Sequence, residues 1–305
     1  MSERHRSTPE DDAARRAYWS QQMDAAFDFM AAMLDYPVEE CGEKLASLPE
    51  AAHSAGVEVL FSQSKIALDL DRVFFLRAGL VEGFIEAARE MNDRGWIMKV
   101  EDGFRSVEMQ RNLSRKPEVF DAILKSTAWE CGEVPTPEFL LRRLSVLTAT
   151  RPKVGTHMSG SAIDISVFRR EDGSEVERGG PYLEMSEKTP MTSPFVSAAE
   201  QENRRAIKTI MERHGLLAYP FEFWHFNGGD CYAEYLTKSG RPGRYGAVDF
   251  NVENGDLAPV SDPRAELQSP AVMRELIEES LARLQASDED GARIPHELSA
   301  MSISP

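Results

Sequence analysis

The chain has 305 residues, 42% of them hydrophobic, and its 35 Lys and Arg against 51 Asp and Glu give a formal net charge of −16. This composition is typical of a globular protein of one or two domains and excludes a collagen-like or generally disordered chain. The excess of negative charge argues against a nucleic-acid or anionic membrane partner, because both need clustered positive charge.

The sequence shows no signal for export or for membrane insertion. No apolar run approaches the roughly 18 residues of a membrane helix, and the polar residues 1–10 are not followed by the apolar region of a signal peptide. Cys41, Cys131 and Cys231 are odd in number and far apart, which argues against a disulfide framework or a cysteine zinc cluster. We therefore expect a soluble, cytoplasmic protein.

The N-terminal half of the sequence is predicted to be mostly helical. Apolar residues recur at spacings of three and four, the period of one helix face, most clearly from Trp19 to Leu34. Thr8 and Pro9 are typical of a helix start. Residues 48–70 show no clear pattern, and residues 1–10 are predicted to be disordered. Helices are predicted at 12–35, 38–47, 72–94, 106–125 and 137–148.

Extended segments and helices are interspersed in the rest of the chain. The residue pattern predicts strands at 96–100 and 162–168, with a hairpin turn at Asp172-Gly173. A capping box at Ser197 begins a helix that runs to His214. The other predictions are a loop at 179–196, extended segments at 216–219 and 221–226, turns at 228–246, a helix from Ser269 and a loose tail at 287–305. Since regular βαβ units are absent, we expect an α+β fold with a central antiparallel sheet flanked by helices.

Two of the six histidines have neighbours suited to metal binding. His157 lies at the mouth of a predicted strand and Asp164 lies inside it, and Gly160 lets the chain turn between them. Imidazole nitrogen and carboxylate oxygen together suit zinc. The simpler alternative is a hairpin with a surface histidine and a buried, hydrogen-bonded aspartate.

The second histidine, His225, ends the sequence Glu-Phe-Trp-His that begins at Glu222. A glutamate beside a metal-bound histidine is a natural general base. Residues three apart on an ideal strand point to opposite faces, so either the strand is irregular here or Glu222 lies beyond its regular part. The alternative is an aromatic edge strand with two exposed polar residues.

Arg105 follows Asp102-Gly103 at a predicted strand-to-helix turn, where an arginine can stabilise a developing oxyanion or bind a carboxylate. Its alternative is a solvated arginine at a helix start. Taken together, two histidines and one aspartate make a three-ligand zinc site with an open fourth position, which is typical of a catalytic zinc.

The order Arg105, His157-x6-Asp164 and Glu222-x-x-His225 resembles the zinc D-Ala-D-Ala dipeptidase family, which includes the vancomycin-resistance type. This family belongs to the wider zinc D-alanyl-D-alanine peptidase group. The flanking Gly, Ala and Trp residues agree with it as well. The resemblance covers about residues 70–235 and implies the hedgehog-like fold that the group shares.

The resemblance implies a role for each matched residue. His157, Asp164 and His225 become the ligands of one zinc ion per chain. Glu222 becomes the general acid and base, and Arg105 stabilises the tetrahedral intermediate. The implied substrate is a small peptide.

Three segments follow from the extent of the resemblance. Residues 71–250 are predicted to form the zinc peptidase domain. Residues 1–70 form an N-terminal helical extension, and residues 251–305 a C-terminal helix with a loose tail. The terminal segments are expected to pack on the core or on a second subunit, which leaves a homo-oligomer open.

Three positions depart from the family, and all three concern substrate fit. Ser106 follows Arg105 where the family commonly has a proline. Gly155 stands where the family usually has a serine for the substrate carboxylate, so Thr156 or Ser161 is predicted to replace it. Leu183 stands where the family places an aspartate for the free amino group, and the neighbouring Glu184 is predicted to take that role.

The leading hypothesis is a cytoplasmic zinc metallopeptidase that cleaves D-Ala-D-Ala or a related dipeptide, with Trp224 also contacting the substrate. One alternative is a zinc D,D-carboxypeptidase on muropeptides, for which an open groove rather than a tight pocket would be evidence. The alternative from another class is a non-catalytic zinc-binding interaction module, which has no need of Glu222 or Arg105 beside the metal.

Overall fold

The structure is a computed structural model and describes residues 9–289. The prediction for Thr8 and those for most of the disordered start and the loose tail lie outside the described residues. The helices are α1 (Pro9–Asp35), α2 (Leu48–Ala55), α3 (Ala78–Asp93), α4 (Val107–Leu113), α5 (Pro117–Cys131), α6 (Pro137–Leu147), α7 (Ala198–Arg213), α8 (Cys231–Leu236) and α9 (Pro270–Glu289). The strands are β1 (Leu45–Ser47), β2 (Val59–Phe61), β3 (Phe75–Arg77), β4 (Trp96–Asp102), β5 (Ala162–Arg169), β6 (Leu217–Ala218), β7 (His225–Asn227), β8 (Val248–Phe250) and β9 (Leu257–Pro259).

A five-stranded sheet with the order β2-β4-β5-β7-β6 lies at the centre of an α+β fold. The pairs β4–β5, β5–β7 and β6–β7 are antiparallel, but β2 pairs with β4 in parallel. The sheet is therefore mixed, and the prediction of an antiparallel sheet is corrected at this edge. The chain makes the parallel pair possible by crossing over through α3 between the two strands.

One face of this sheet is covered by α3 and α7, which also pack against each other. Both helices direct an apolar stripe at the strands, with Phe84 and Met91 from α3 and Ile207 and Ile210 from α7 fully or almost fully buried. This core holds β4, β5 and β7 in fixed register, so it fixes the side chains that these strands carry.

A second apolar core joins the helices α1, α5, α6 and α9. Trp19 and Met23 of α1 and Met273 of α9 are buried in it, so the two terminal helices pack on α5 and α6. Among residues 9–289, no helix combines the length and the apolar character that crossing a membrane requires.

The predicted helix at 38–47 is wrong, because its last residues form β1, and α2 begins directly after them at Leu48. Ser47 caps α2 by accepting a hydrogen bond from the Glu50 amide, and Pro49 occupies the first turn of that helix. Gly56 ends α2 with a φ of +64°. Pro49 and Gly56 lie inside residues 48–70, for which the sequence showed no clear pattern, and Ser47 lies directly before them.

Most of the other predicted elements are present, with several differences. Strands β2, β8 and β9 were not predicted, and the extended segment predicted at 221–226 is a strand only from His225. The predicted helix at 106–125 is two helices, because Pro117 lacks the amide N–H that an interior position needs and instead begins α5. The first residues of the predicted helix at 72–94 form β3. Within the predicted turns at 228–246, α8 begins where the Asp230 side chain accepts from the Ala233 amide.

Candidate metal and catalytic site

The candidate site crosses three neighbouring strands of the sheet. Asp102 at the end of β4 pairs with Asp164 in β5, and Asp164 pairs with His225 at the start of β7. Directly paired residues project their side chains from the same face of a sheet. His157, on the turn that leads into β5, completes the group. The structure thus brings the three predicted ligands together.

The ligand atoms of His157, Asp164 and His225 lie within 4.8 Å of one another, and all three residues are buried. His157 Nδ1 lies 2.7 Å from the carbonyl oxygen of Gly103, which can only accept a hydrogen bond. Nδ1 therefore carries the proton, and in the neutral imidazole the lone pair of Nε2 points at Asp164 Oδ1, 3.2 Å away. Two acceptors this close repel each other unless a proton or a metal cation lies between them.

His225 approaches the same carboxylate oxygen from β7. Its Nδ1 lies 3.0 Å from Asp164 Oδ1, and its Nε2 lies 2.9 Å from the Thr156 hydroxyl. Burial lowers the pKa of His225, although Asp164 acts in the opposite direction. A neutral imidazole leaves a ring nitrogen free to bind a metal.

The electrostatics of Asp164 agree with a ligand role. Burial raises its pKa, but His157 and His225 outweigh that effect and hold the pKa well below its usual value. The donor set is then two imidazoles and one carboxylate, which is a set that binds zinc and other divalent transition metals. These residues fit a zinc ion by their chemistry and by their convergence.

The second oxygen of Asp164 is held by two donors. Arg105 Nη2 and the Tyr182 hydroxyl each donate to Oδ2 over 3.0 Å. Arg105 Nε also donates to Asp102 over 2.7 Å and Nη1 to Gln110 over 3.2 Å. Burial alone would lower the pKa of Arg105, but Asp102 and Asp164 raise it above its usual value, so the guanidinium is charged.

Tyr182 and Gln110 are not among the residues predicted for the site. Tyr182 lies in the 179–196 loop and Gln110 in α4, and neither segment shows a sequence pattern that points to the metal ligands. Only the folding of the loop over the sheet brings the Tyr182 hydroxyl to Asp164. A long-range contact of this kind has no signal in local spacing.

Glu222 lies in the turn before β7, outside the regular strand. The alternation of side chains along a strand therefore does not prevent Glu222 and His225 from facing the same side. Its Oε2 is 3.9 Å from His225 Nδ1, and the side chain is buried. Burial and the negative charge of Asp164 raise the pKa of Glu222 well above its usual value, against smaller opposite effects of Arg105 and Trp224. A carboxyl group in such surroundings is suited to taking up and releasing a proton.

The Glu222 turn is held by two buried arginines that enclose Phe223. The guanidinium carbons of Arg178 and Arg204 lie 4.9 and 4.1 Å from the centre of the Phe223 ring. Arg204 donates to the carbonyls of Pro190 and Lys188 in the 179–196 loop over 2.7 and 2.8 Å. The turn and the loop are thereby tied together, and the spacing in the sequence gave no sign of this contact.

The site opens into one cavity with about 570 Å³ of empty space, its mouth included. The metal triad, Glu222 and Arg105 line its polar part. Side chains from α1, α4, α5, α6 and the 179–196 loop form an apolar wall opposite these groups in the lining.

The predicted substrate-binding residues fall into two groups. Thr156 and Trp224 line the cavity, although the Thr156 hydroxyl is engaged by His225. Ser161 donates to Asp230 over 2.5 Å, and the Glu184 carboxylate accepts from Ser186. Within the described chain, neither Ser161 nor Glu184 is among the residues that line the cavity. Leu183 and Gly155 line it instead.

Asp230 sits behind the site and predicts a pH-dependent stability. Burial raises its pKa to about 6, although hydrogen bonds from Ser161, Ala233 and Asn227 lower it. Between the unfolded pKa of about 4 and the folded pKa of about 6, Asp230 is protonated in the folded chain and ionised in the unfolded chain. Protonated Asp230 therefore stabilises the fold at low pH, and this contribution is lost as the pH rises toward 6. Compared with Asp230→Asn, the wild type should lose up to about 3 kcal/mol of unfolding free energy across this range.

Urea unfolding of both proteins at pH 4 and pH 7 measures this difference. The exposed Asp249→Asn serves as the matched control, and its difference from the wild type should stay constant with pH. A constant difference for Asp230→Asn as well would show that folding leaves the pKa of Asp230 at its unfolded value.

The comparisons with known proteins agree with the site geometry. The family profile for D-Ala-D-Ala dipeptidases matches residues 142–238, which include the three ligand residues and Glu222. The D-alanyl-D-alanine dipeptidase of Enterococcus faecium is 37% identical over 71 residues, which is 23% of this chain and 35% of that protein. The Escherichia coli protein of the same name is 36% identical over 70 residues, covering 23% of this chain and 36% of that protein.

A longer match exists with the D-alanyl-D-alanine dipeptidase of a Synechocystis species, 26% identical over 221 residues, or 65% of this chain and 86% of that protein. The matches to the Enterococcus and Escherichia relatives thus span about a third of the length of those proteins. The resemblance drawn from those motifs is confirmed: residues 142–238 match the family model for D-Ala-D-Ala dipeptidases, and the relatives described above carry the same name.

Proposed function

We propose that this protein is a zinc metallopeptidase that hydrolyses a small peptide, D-Ala-D-Ala or a related D-amino-acid dipeptide. The observation that carries the proposal is the convergence of His157, Asp164 and His225, each of which offers one ligand atom within 4.8 Å of the other two. The named activity of the relatives supports the same reaction. A zinc ion held by these residues would acidify a water molecule and polarise the substrate carbonyl.

Glu222 is the proton carrier in this proposal. It is buried beside the metal ligands, and its raised pKa lets it accept a proton from the attacking water and pass it to the leaving nitrogen. Both steps need one carboxyl group within reach of the scissile bond, and Glu222 lines the same cavity as the ligands.

Arg105 supplies positive charge for the oxygen that becomes negative during the reaction. Its contacts to Asp102, Asp164 and Gln110 use three of its five N–H groups, so two remain to face a substrate. Because these contacts hold the guanidinium in place before the substrate arrives, little reorganisation is needed during the reaction.

The shape of the cavity favours a dipeptide over a larger muropeptide. Helices α1, α4, α5 and α6 and the 179–196 loop all contribute to its lining, which supports a pocket over an open groove along the sheet. The presence of both Glu222 and Arg105 in that lining counts against a purely zinc-binding module. The cytoplasmic location and the homo-oligomer stay predictions.

Amine release by the zinc-loaded protein tests the proposal. The peptides are D-Ala-D-Ala, its N-acetylated form, L-Ala-L-Ala, and a pentapeptide that ends in D-Ala-D-Ala. We expect the D,D dipeptides to be cleaved faster than the L,L dipeptide and the pentapeptide. Faster cleavage of the pentapeptide would instead support the carboxypeptidase. No cleavage of any peptide, with one zinc bound per chain, would support the interaction module.

A further inference from the structure

The charged groups of the cavity are all concentrated around the metal triad. Among the residues that line it in the described chain, the acidic and basic ones are Arg105, His157, Asp164, Glu222 and His225. The rest of the lining is mostly apolar. The apolar wall is formed by Leu113, Val119, Val146, Leu147, Leu183 and Met185.

A free dipeptide carries two charges, and the described lining of the cavity offers an uncommitted charged partner for only one of them. One of the two remaining N–H groups of Arg105 can meet the carboxylate, which leaves the other for the oxygen that becomes negative. Among the described lining residues, only Asp164 and Glu222 are carboxylate partners for an ammonium group. Asp164 is already shared by two histidines, Arg105 and Tyr182, and Glu222 has to exchange protons during the reaction.

Glu184, another carboxylate of the loop, is not among the described residues that line the cavity. Its carboxylate accepts a hydrogen bond from Ser186 and lies against Gly180. Its neighbour Leu183 lines the cavity, and it does so with a φ of +65°, a conformation that side-chain-bearing residues adopt rarely. The loop thus presents an apolar side chain to the cavity where a charged one would pair with an ammonium group.

Burying an unpaired ammonium group costs several kcal/mol, whereas burying an apolar group against this wall is favourable. Resting on the proposed function, we infer that the amino side of the substrate is uncharged and apolar, as in an N-acylated D-amino-acid dipeptide. The hydrolysis is otherwise the same: the C–N bond breaks, the carbonyl carbon gains the water oxygen, and the nitrogen gains a proton.

The first test compares kcat/KM of the zinc-loaded protein for N-acetyl-D-Leu-D-Ala and for D-Leu-D-Ala. We expect a preference of about tenfold or more for the acetylated peptide, because only the free peptide brings an unmatched charge. A preference for the free dipeptide would overturn the inference and leave the proposed function intact.

Leu183→Asp provides the second test, with Leu183→Asn as its matched control. Asp and Asn have the same shape and both tolerate a positive φ, so the pair isolates the effect of the charge. The aspartate variant should shift the preference about tenfold toward the free dipeptide, and the asparagine variant should not. Equal shifts in both variants would show that charge at this position does not select the substrate.

Calorimetric binding of both peptides to zinc-loaded Glu222→Gln gives a readout that does not depend on turnover. The acetylated peptide should bind more tightly, and tighter binding of the free peptide would contradict the inference. If neither peptide is cleaved by the wild type, the proposed function fails, whereas this measurement still decides which group the cavity accepts.

Discussion

Glu222→Gln is expected to lower kcat by about 10²–10⁴-fold and to leave one zinc ion bound per chain. Glutamine keeps the size of the side chain and removes its ability to take a proton from water. The ligand atoms belong to other residues, so metal binding should persist. Steady-state hydrolysis of the best D,D peptide and the zinc content of the purified protein measure the two effects.

Glu202→Gln is the matched control for this experiment. This variant makes the same Glu-to-Gln change on the exposed face of α7, where Glu202 pairs with Arg205. Its hydrolysis rate should equal that of the wild type. A wild-type rate in Glu222→Gln would show that another group carries the proton, whereas loss of zinc in that variant would place Glu222 among the ligands.

Asp164→Asn is expected to abolish both zinc binding and hydrolysis. The substitution removes the only carboxylate among the three candidate ligands. Zinc affinity should fall by at least about 100-fold, because replacing a residue that merely hydrogen-bonds to a metal ligand can already cost that much. The substitution also removes one of the two buried carboxylates that hold Arg105, which should lower the unfolding free energy by about 3–5 kcal/mol.

Thermal unfolding with added zinc and with a chelator separates these effects. Zinc should raise the Tm of the wild type, because a ligand that binds only the folded chain stabilises it. It should leave the Tm of Asp164→Asn unchanged, and the exposed Asp249→Asn should respond like the wild type. Equal zinc stabilisation of Asp164→Asn and the wild type would contradict the ligand assignment.

The sequence was informative where structure depends on neighbouring residues. The helix starts at Ser197 and Pro137 and the strand from Ala162 carry their own local signals, and the structure has all three. The pairing of Asp164 with His225 follows once β5 and β7 are adjacent. The motif spacing therefore predicted which ligands meet without predicting how the strands are ordered.

The features that were missed depend on contacts between distant segments. Val59–Phe61 is too short to show a period, and its parallel pairing with β4 comes from the packing of α3. The position of Tyr182 depends on how the 179–196 loop folds over the sheet, and the arginines beside Phe223 come from two separate segments. Neither propensity nor periodicity carries information on such contacts.

Asp164 divides its two oxygens between different tasks, and this division has a thermodynamic consequence. Oδ1 faces the two histidines, while Oδ2 is bonded to Arg105 and Tyr182. A single rigid carboxylate thus links the metal to the guanidinium. Any ligand that pulls Arg105 toward itself changes the affinity for the metal, and by reciprocity the metal changes the affinity for that ligand by the same factor. Zinc titrations with and without a carboxylate product should therefore give different dissociation constants.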